Sequence, residues 1–140
     1  MSYLLDTNVV SEWVKPRPDP GVVKWLAEAD EDRLFLSVVT LAELRHGIER
    51  MQDGRRRKRL DEWLCHDLPL RFENRILTID AIVADKWGEI VAQREVAGRP
   101  IGAMDAFIAA TAEAHALALI TRNESDFERN VKSVINPWIG

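Results

Sequence analysis

The chain has 140 residues, 46% apolar and 30% charged, which fits one globular domain and excludes disorder, low complexity and a collagenous repeat. Nineteen Lys and Arg stand against twenty-three Asp and Glu, and the resulting net charge of -4, taken as an average, argues against a polyanionic ligand. No apolar run approaches the roughly 20 residues of a membrane span, Asp6 interrupts any secretory leader, and the lone Cys65 excludes an internal disulfide, so a membrane-free, cytoplasmic protein is expected.

Tyr3-Leu4-Leu5 reads as a short buried strand that stops on Asp6-Thr7-Asn8, polar residues suited to capping a segment over Val9 to Val14. Three prolines between Lys15 and Gly21 break regular structure, and Asp19-Pro20 matches the N-cap and first position of a helix carrying Val22, Val23, Leu26 and Ala29. Leu34 to Val39 is a second strand. Thr40 to Met51 follows as a helix with Leu41, Leu44, Ile48 and Met51 in one stripe, and Arg55 to Leu64 as its hairpin partner after a turn near Asp53-Gly54. Arg75 to Ile79 is a short third strand, and Ile82 to Val96 a helix stopped by Gly98-Arg99-Pro100. Ala103 to Ala116 is apolar nearly all round, hence a buried helix, with strands at Leu117 to Ile120 and Val131 to Ile135 beyond it. Strands alternating with helices predict an α/β fold in which a central parallel sheet is flanked by helices, with any site at the carboxyl ends of the strands.

Four acids belong to that end. Asp6 directly follows the first strand, and Glu43 occupies the place of a capping-box glutamate in Thr40-Leu41-Ala42-Glu43. Asp105 shares a helix face with Ile101, Ile108, Ala109 and Ala112, where a carboxylate needs compensation. Asp126 lies in the loop after Ile120, close in sequence to the oxygen donors Thr121 and Asn123. Four carboxylates at one pole cannot all remain ionised without a cation, and oxygen-only donors select a hard ion, Mg2+ or Mn2+, suited to phosphoryl transfer. One cysteine and three scattered histidines make no zinc set.

The residues carrying these acids are Asp6-Thr7-Asn8-Val9-Val10-Ser11-Glu12, then Ser37 to Thr40 running into Ala42-Glu43-Leu44. Asp105-Ala106-Phe107-Ile108-Ala109-Ala110-Thr111-Ala112 and Thr121-Arg122-Asn123 with Asp126-Phe127 complete the series. In that order they resemble the PIN-domain ribonucleases, and within them the VapC toxins of bacterial toxin–antitoxin pairs; Asn136-Pro137-Trp138 resembles the FitB-like branch. The resemblance implies one PIN domain over residues 1–140, an α/β/α sandwich, and metal-dependent endonucleolytic cleavage of RNA. It implies that Asp6, Glu43, Asp105 and Asp126 form the catalytic, metal-binding quartet, supported by Thr7, Asn8, Thr121 and Asn123. It also implies a toxin dimer and a small VapB-like antitoxin that blocks the site.

Two other enzyme readings are weaker. Asp6-Thr7-Asn8 after a strand resembles a haloacid-dehalogenase signature, but Asn8 stands where its second acid belongs and 140 residues leave little room for a cap. Glu43-Leu44-Arg45-His46 has the spacing of a di-iron motif but occurs once, against a strand-rich pattern. A non-catalytic RNA- or protein-binding module on the same scaffold is the alternative from another class. The histidines read as surface residues, with His115 complementing a helix terminus, and Trp13 and Trp138 as core or protein-contact residues. The positive charge is local: Arg55, Arg56, Arg57, Lys58 and Arg59 follow one another, a candidate RNA-backbone contact beside a phosphodiesterase centre.

Overall fold

Leu4 and Leu5 are adjacent and both fully buried, which in an extended strand requires apolar cover on both faces of a sheet. The computed structural model, which describes residues 1–138, supplies that cover. Leu4 joins Val83, Ile90, Ile108 and Leu119 in one cluster, whereas Leu5 joins Val9, Leu36, Ile48 and Ile120 in another. Between them lie β1 (Tyr3–Leu5), β2 (Leu34–Ser37), β3 (Ile76–Leu77), β4 (Ala118–Ile120) and β5 (Val134–Ile135). All pair in parallel, in the order β3-β2-β1-β4-β5. The expected α/β/α sandwich is present.

The second cluster is covered by α1 (Thr7–Glu12), α2 (Pro20–Glu28), α3 (Val38–Glu49), α4 (Arg55–Glu62) and α5 (Leu68–Arg71). The first is covered by α6 (Ala81–Val96) and α7 (Ala103–Ala114), with the short α8 (Glu124–Phe127) contributing Phe127. Among the described residues, no helix is long and apolar enough to cross a membrane.

Several boundaries move from their expected places for local reasons. Asp19 caps α2 as expected, accepting from the Gly21 and Val22 amides through Oδ2. α3 starts two residues before Thr40, because Ser37 caps it by accepting from the Val39 amide at 3.0 Å. The capping box expected at Thr40 and Glu43 is therefore absent, and both side chains are released for other partners. Beyond α4 the chain makes one wide turn over Trp63–Asp67, where the Leu68 amide bonds the Trp63 carbonyl. Pro69 follows without an amide hydrogen, so the regular ladder could not have continued through it. The outer strands β3 and β5 are shorter than the expected Arg75 to Ile79 and Val131 to Ile135, since each is an edge strand hydrogen-bonded on one side only. α7 ends at Ala114, and the chain turns through Ala116 at φ 53° before entering β4.

Strand order reverses direction between β1 and β4. The chain leaves β1 toward β2 on one side and returns through α6 and α7 to β4 on the other. Such a reversal opens a crevice at the carboxyl ends of the two strands.

Candidate active site at the carboxyl pole of the sheet

Asp6 is the first residue after β1 and Thr121 the first after β4, so the two flank the crevice. Thr121 Oγ1 donates to Asp6 Oδ2 at 2.8 Å, and the Thr7 amide donates to Oδ1 at 2.8 Å. Asp6 is thus both the cap of α1 and a carboxylate fixed at two oxygens, with only 5% of its surface exposed. Burial, with smaller contributions from Asp105 and Glu43, outweighs these hydrogen bonds and raises its pKa to about 6.

Glu43 is held from the opposite side. Thr7 Oγ1 donates to Glu43 Oε1 at 2.7 Å and lies 3.1 Å from the buried Thr40 Oγ1. A hydroxyl has one proton, so the Thr40 hydroxyl donates to Thr7 and Thr7 to Glu43, a relay from core to carboxylate. The early start of α3 makes this possible by placing Thr40 inside the helix, facing α1. Thr7 and Thr121 each orient one acid, while Asn123 gives its backbone amide to Thr121 Oγ1 at 3.0 Å. Asn8 Oδ1 is buried with no hydrogen-bond partner among the described residues.

Asp105 lies in the first turn of α7, half-buried, and its pKa is raised by burial and then by the charges of Glu43 and Asp126. The charges of Asp105 and Glu43 act on Asp6, and those of Glu43 and of Asp126, exposed on α8, act on Asp105. Among the described residues no three His, Cys, Asp or Glu side chains close into a metal cage. The four acids expected from the sequence form no preassembled chelate among the described residues, and two of them, Asp6 and Glu43, accept from threonine hydroxyls. The donor chemistry nevertheless fits a hard cation, since Asp6, Glu43, Asp105 and Asp126 all offer carboxylate oxygens.

Arg94 escapes a reading of the sequence alone. It continues the Val83, Trp87, Ile90 stripe of α6 where an apolar residue belongs, and that misplacement is its signal. It is 8% exposed and bonds no carboxylate among the described residues. Nε donates to the Arg99 carbonyl at 2.7 Å, and Nη1 donates to the Asp126 carbonyl at 2.9 Å and to Asn130 Oδ1 at 3.1 Å. One guanidinium therefore ties the end of α6 to the segment that carries Asp126. Replacing Arg94 with Met is expected to strand these acceptors and cost about 2 kcal/mol in urea unfolding. Arg94→Lys, which keeps a donor, should recover part of the loss; equal stability of all three proteins would contradict the tie.

The basic run is divided by helix geometry. Arg57 donates to Glu49 Oε2 at 2.6 Å, Asp53 Oδ1 at 3.2 Å and the Met51 carbonyl at 3.0 Å, so its charge is spent inside the α3–α4 hairpin. Lys58 lines the same cleft as Arg45, Glu49 and Asp61. Arg55, Arg56 and Arg59 are exposed. Trp13 packs on Phe72 under the Arg71 guanidinium, and Trp138 packs on the second cluster beside Arg122. His46, His66 and His115 are exposed, as expected.

The family model described as PIN domain matches residues 3–132. The chain is 38% identical over 135 residues to the VapC ribonuclease Y4jK of Sinorhizobium fredii, covering 96% of both chains. It is 38% identical over 135 residues to Toxin FitB of Neisseria gonorrhoeae, covering 96% of this chain and 97% of that one. Among solved structures it resembles a chain of FitAB bound to an IR36 DNA fragment, with a TM-score of 0.91, 36% identity, and 99% and 96% of the two chains covered.

Proposed function

The chain belongs to the PIN-domain family, and from that premise we propose that it is the ribonuclease toxin of a toxin–antitoxin pair, hydrolysing RNA with Mg2+ or Mn2+ held by Asp6, Glu43, Asp105 and Asp126. The observation that carries this reading is the pole itself: four acids on four separate elements, each within electrostatic reach of another. Relatives named as a VapC ribonuclease and a toxin support the activity and the role, and the FitAB assembly supports a two-protein complex. The partners are then RNA, a small VapB-like antitoxin that covers the pole, and a second toxin chain. Residues 1–140 act as one PIN domain in the cytoplasm.

Each side chain has a part in this scheme. Asp6, fixed by the Thr121 hydroxyl and the Thr7 amide, presents its carboxylate in one orientation. Glu43 is aimed by Thr7 and Asp105 adds its charge from the first turn of α7, so these three would hold the cation. Asp126, exposed and acting on Asp105, would meet water and phosphate as they enter. The bound divalent ion would lower the pKa of a water and offset charge on the scissile phosphate. No histidine is hydrogen-bonded to these acids among the described residues, which favours water over a neighbouring 2′-hydroxyl as the nucleophile.

RNA incubated with the purified protein should be cut in Mg2+ or Mn2+, leaving 5′-phosphate and 3′-hydroxyl ends, and EDTA should stop the reaction. RNA that is bound but stays intact in either metal would make the protein a binding module instead.

A further inference from the structure

Along α4 and into the wide turn after it, residues 56, 59, 60 and 63 fall on one face and 57, 61 and 65 on another, by helical spacing. The second face is occupied by ion pairs with α3: Arg57 with Glu49, and Asp61 with Arg45 at 2.6 Å. The first face is open. Arg56, Arg59, Leu60 and Trp63 line a groove of about 400 Å³ with Trp13 and Lys15, and no acid lines it. Arg56 and Arg59 form no ion pair among the described residues, whereas the half-exposed Lys15 side chain is ion-paired with the buried Glu12.

This groove runs on toward the acids. Lys15, Arg56 and Trp63 also line a second cavity of about 250 Å³, whose far end is formed by Thr7 and Glu43. The two cavities adjoin through shared walls and are taken together as one channel, cationic and aromatic at the α4 end, then mostly apolar along Val14, Leu44, Ile48 and Met51, with Glu43 as its one carboxylate. Its chemistry suits a chain that alternates anionic and planar groups: phosphates for Lys15, Arg56 and Arg59, and bases for the exposed parts of Trp13 and Trp63. Cations and rings interleaved on one open face favour a nucleic-acid strand, and a peptide occupant is an outcome of the test.

We propose that this channel is the track for a single-stranded segment of the RNA substrate, entering over the Arg56–Arg59 face of α4 and passing between α1 and α3 to Glu43. The proposal rests on the ribonuclease reading and makes the basic run selective: Arg56 and Arg59 bind RNA, while Arg57 shapes the hairpin.

The test is equilibrium binding of a fluorescein-labelled, mixed-sequence single-stranded RNA to the whole protein in EDTA, where binding is read without cleavage. Arg56→Glu with Arg59→Glu should weaken binding at least about tenfold at low salt and flatten the log–log salt slope by about 1.4, as expected for two lost phosphate contacts. Lys24→Glu with Lys86→Glu, the same charge change on α2 and α6, should weaken it less than about twofold. Equal losses in the two double variants would overturn the track while leaving metal-dependent cleavage, assayed separately, as the test of the nuclease. Unchanged RNA affinity in the Arg56/Arg59 variant, together with lost inhibition by a co-expressed antitoxin, would assign the channel to a protein and also overturn it.

Discussion

Asp105→Asn is expected to lower RNA cleavage by about two to three powers of ten or more, the scale of removing one group that stabilises developing charge. The substitution keeps the size and the start of α7 and removes the charge facing Asp6, Glu43 and Asp126. Its fold should therefore survive, and circular dichroism would show this. The geometry ranks the neighbouring variants. Asp6→Asn should match Asp105→Asn, since both lose a carboxylate from the central trio. Thr7→Val retains the helical shape but frees Glu43 Oε1, and a loss of about tenfold to a hundredfold suits an orienting residue. Asp126→Asn should fall least among the acids, because Asp126 is exposed and reaches the trio through Asp105. Initial rates on one RNA in saturating Mg2+ check the order, and full activity in Asp105→Asn would remove the quartet from the chemistry.

The second large effect is on stability and has the opposite sign. Asp6 titrates near 6 in the folded protein and near 3.8 when unfolded. An acid whose pKa is raised on folding favours the folded state while protonated, and that advantage is lost as pH rises from about 4 to above 6. The shift corresponds to about 3 kcal/mol at most, and roughly 2 kcal/mol remains once an amide's poorer match to the Thr121 hydroxyl is considered. Without divalent ions, Asp6→Asn should thus melt several degrees above the wild type at pH 8 and close to it at pH 4. Added Mg2+ should raise the melting temperature of the wild type and not of Asp6→Asn. Thermal unfolding across pH, in EDTA and in Mg2+, measures both differences. A variant less stable than the wild type at pH 8 would show that the hydrogen bonds to Asp6 outweigh its burial.

The two outcomes have a common cause. A carboxylate placed to hold a cation is, without that cation, a buried charge among like charges, so the residue expected to matter most to cleavage is the one that strains the fold. Arg94 is the counterpart: a buried cation satisfied by carbonyls, which serves the fold by holding the segment of Asp126.

Hydrophobic periodicity was enough to recognise the sheet and the helices flanking it, because Leu4-Leu5, Leu34-Phe35-Leu36 and Ala118-Leu119-Ile120 are apolar without interruption and demand cover on both faces. The order of strands and helices also set Asp6 and Asp126 after strands and Glu43 at a helix start, where capping alone would explain them; Asp105, on an apolar helix face, had no such local explanation. Partnership was not legible. Thr40 and Glu43 fit a local capping box, a contact four residues long, and only the tertiary fold replaced it with Thr7, more than thirty residues away.

The same limit divided the basic run. Five consecutive charges look equivalent along the chain, but a helix turns each through about 100°, so Arg57 meets Glu49 and Asp53 while Arg56 and Arg59 face the channel. Composition set a net charge of -4 and suggested that nucleic acid would be repelled. Charge is a sum over residues and is fixed by the sequence alone. The field at a surface depends on which charges are paired and which way they point, and those are decided when distant segments meet.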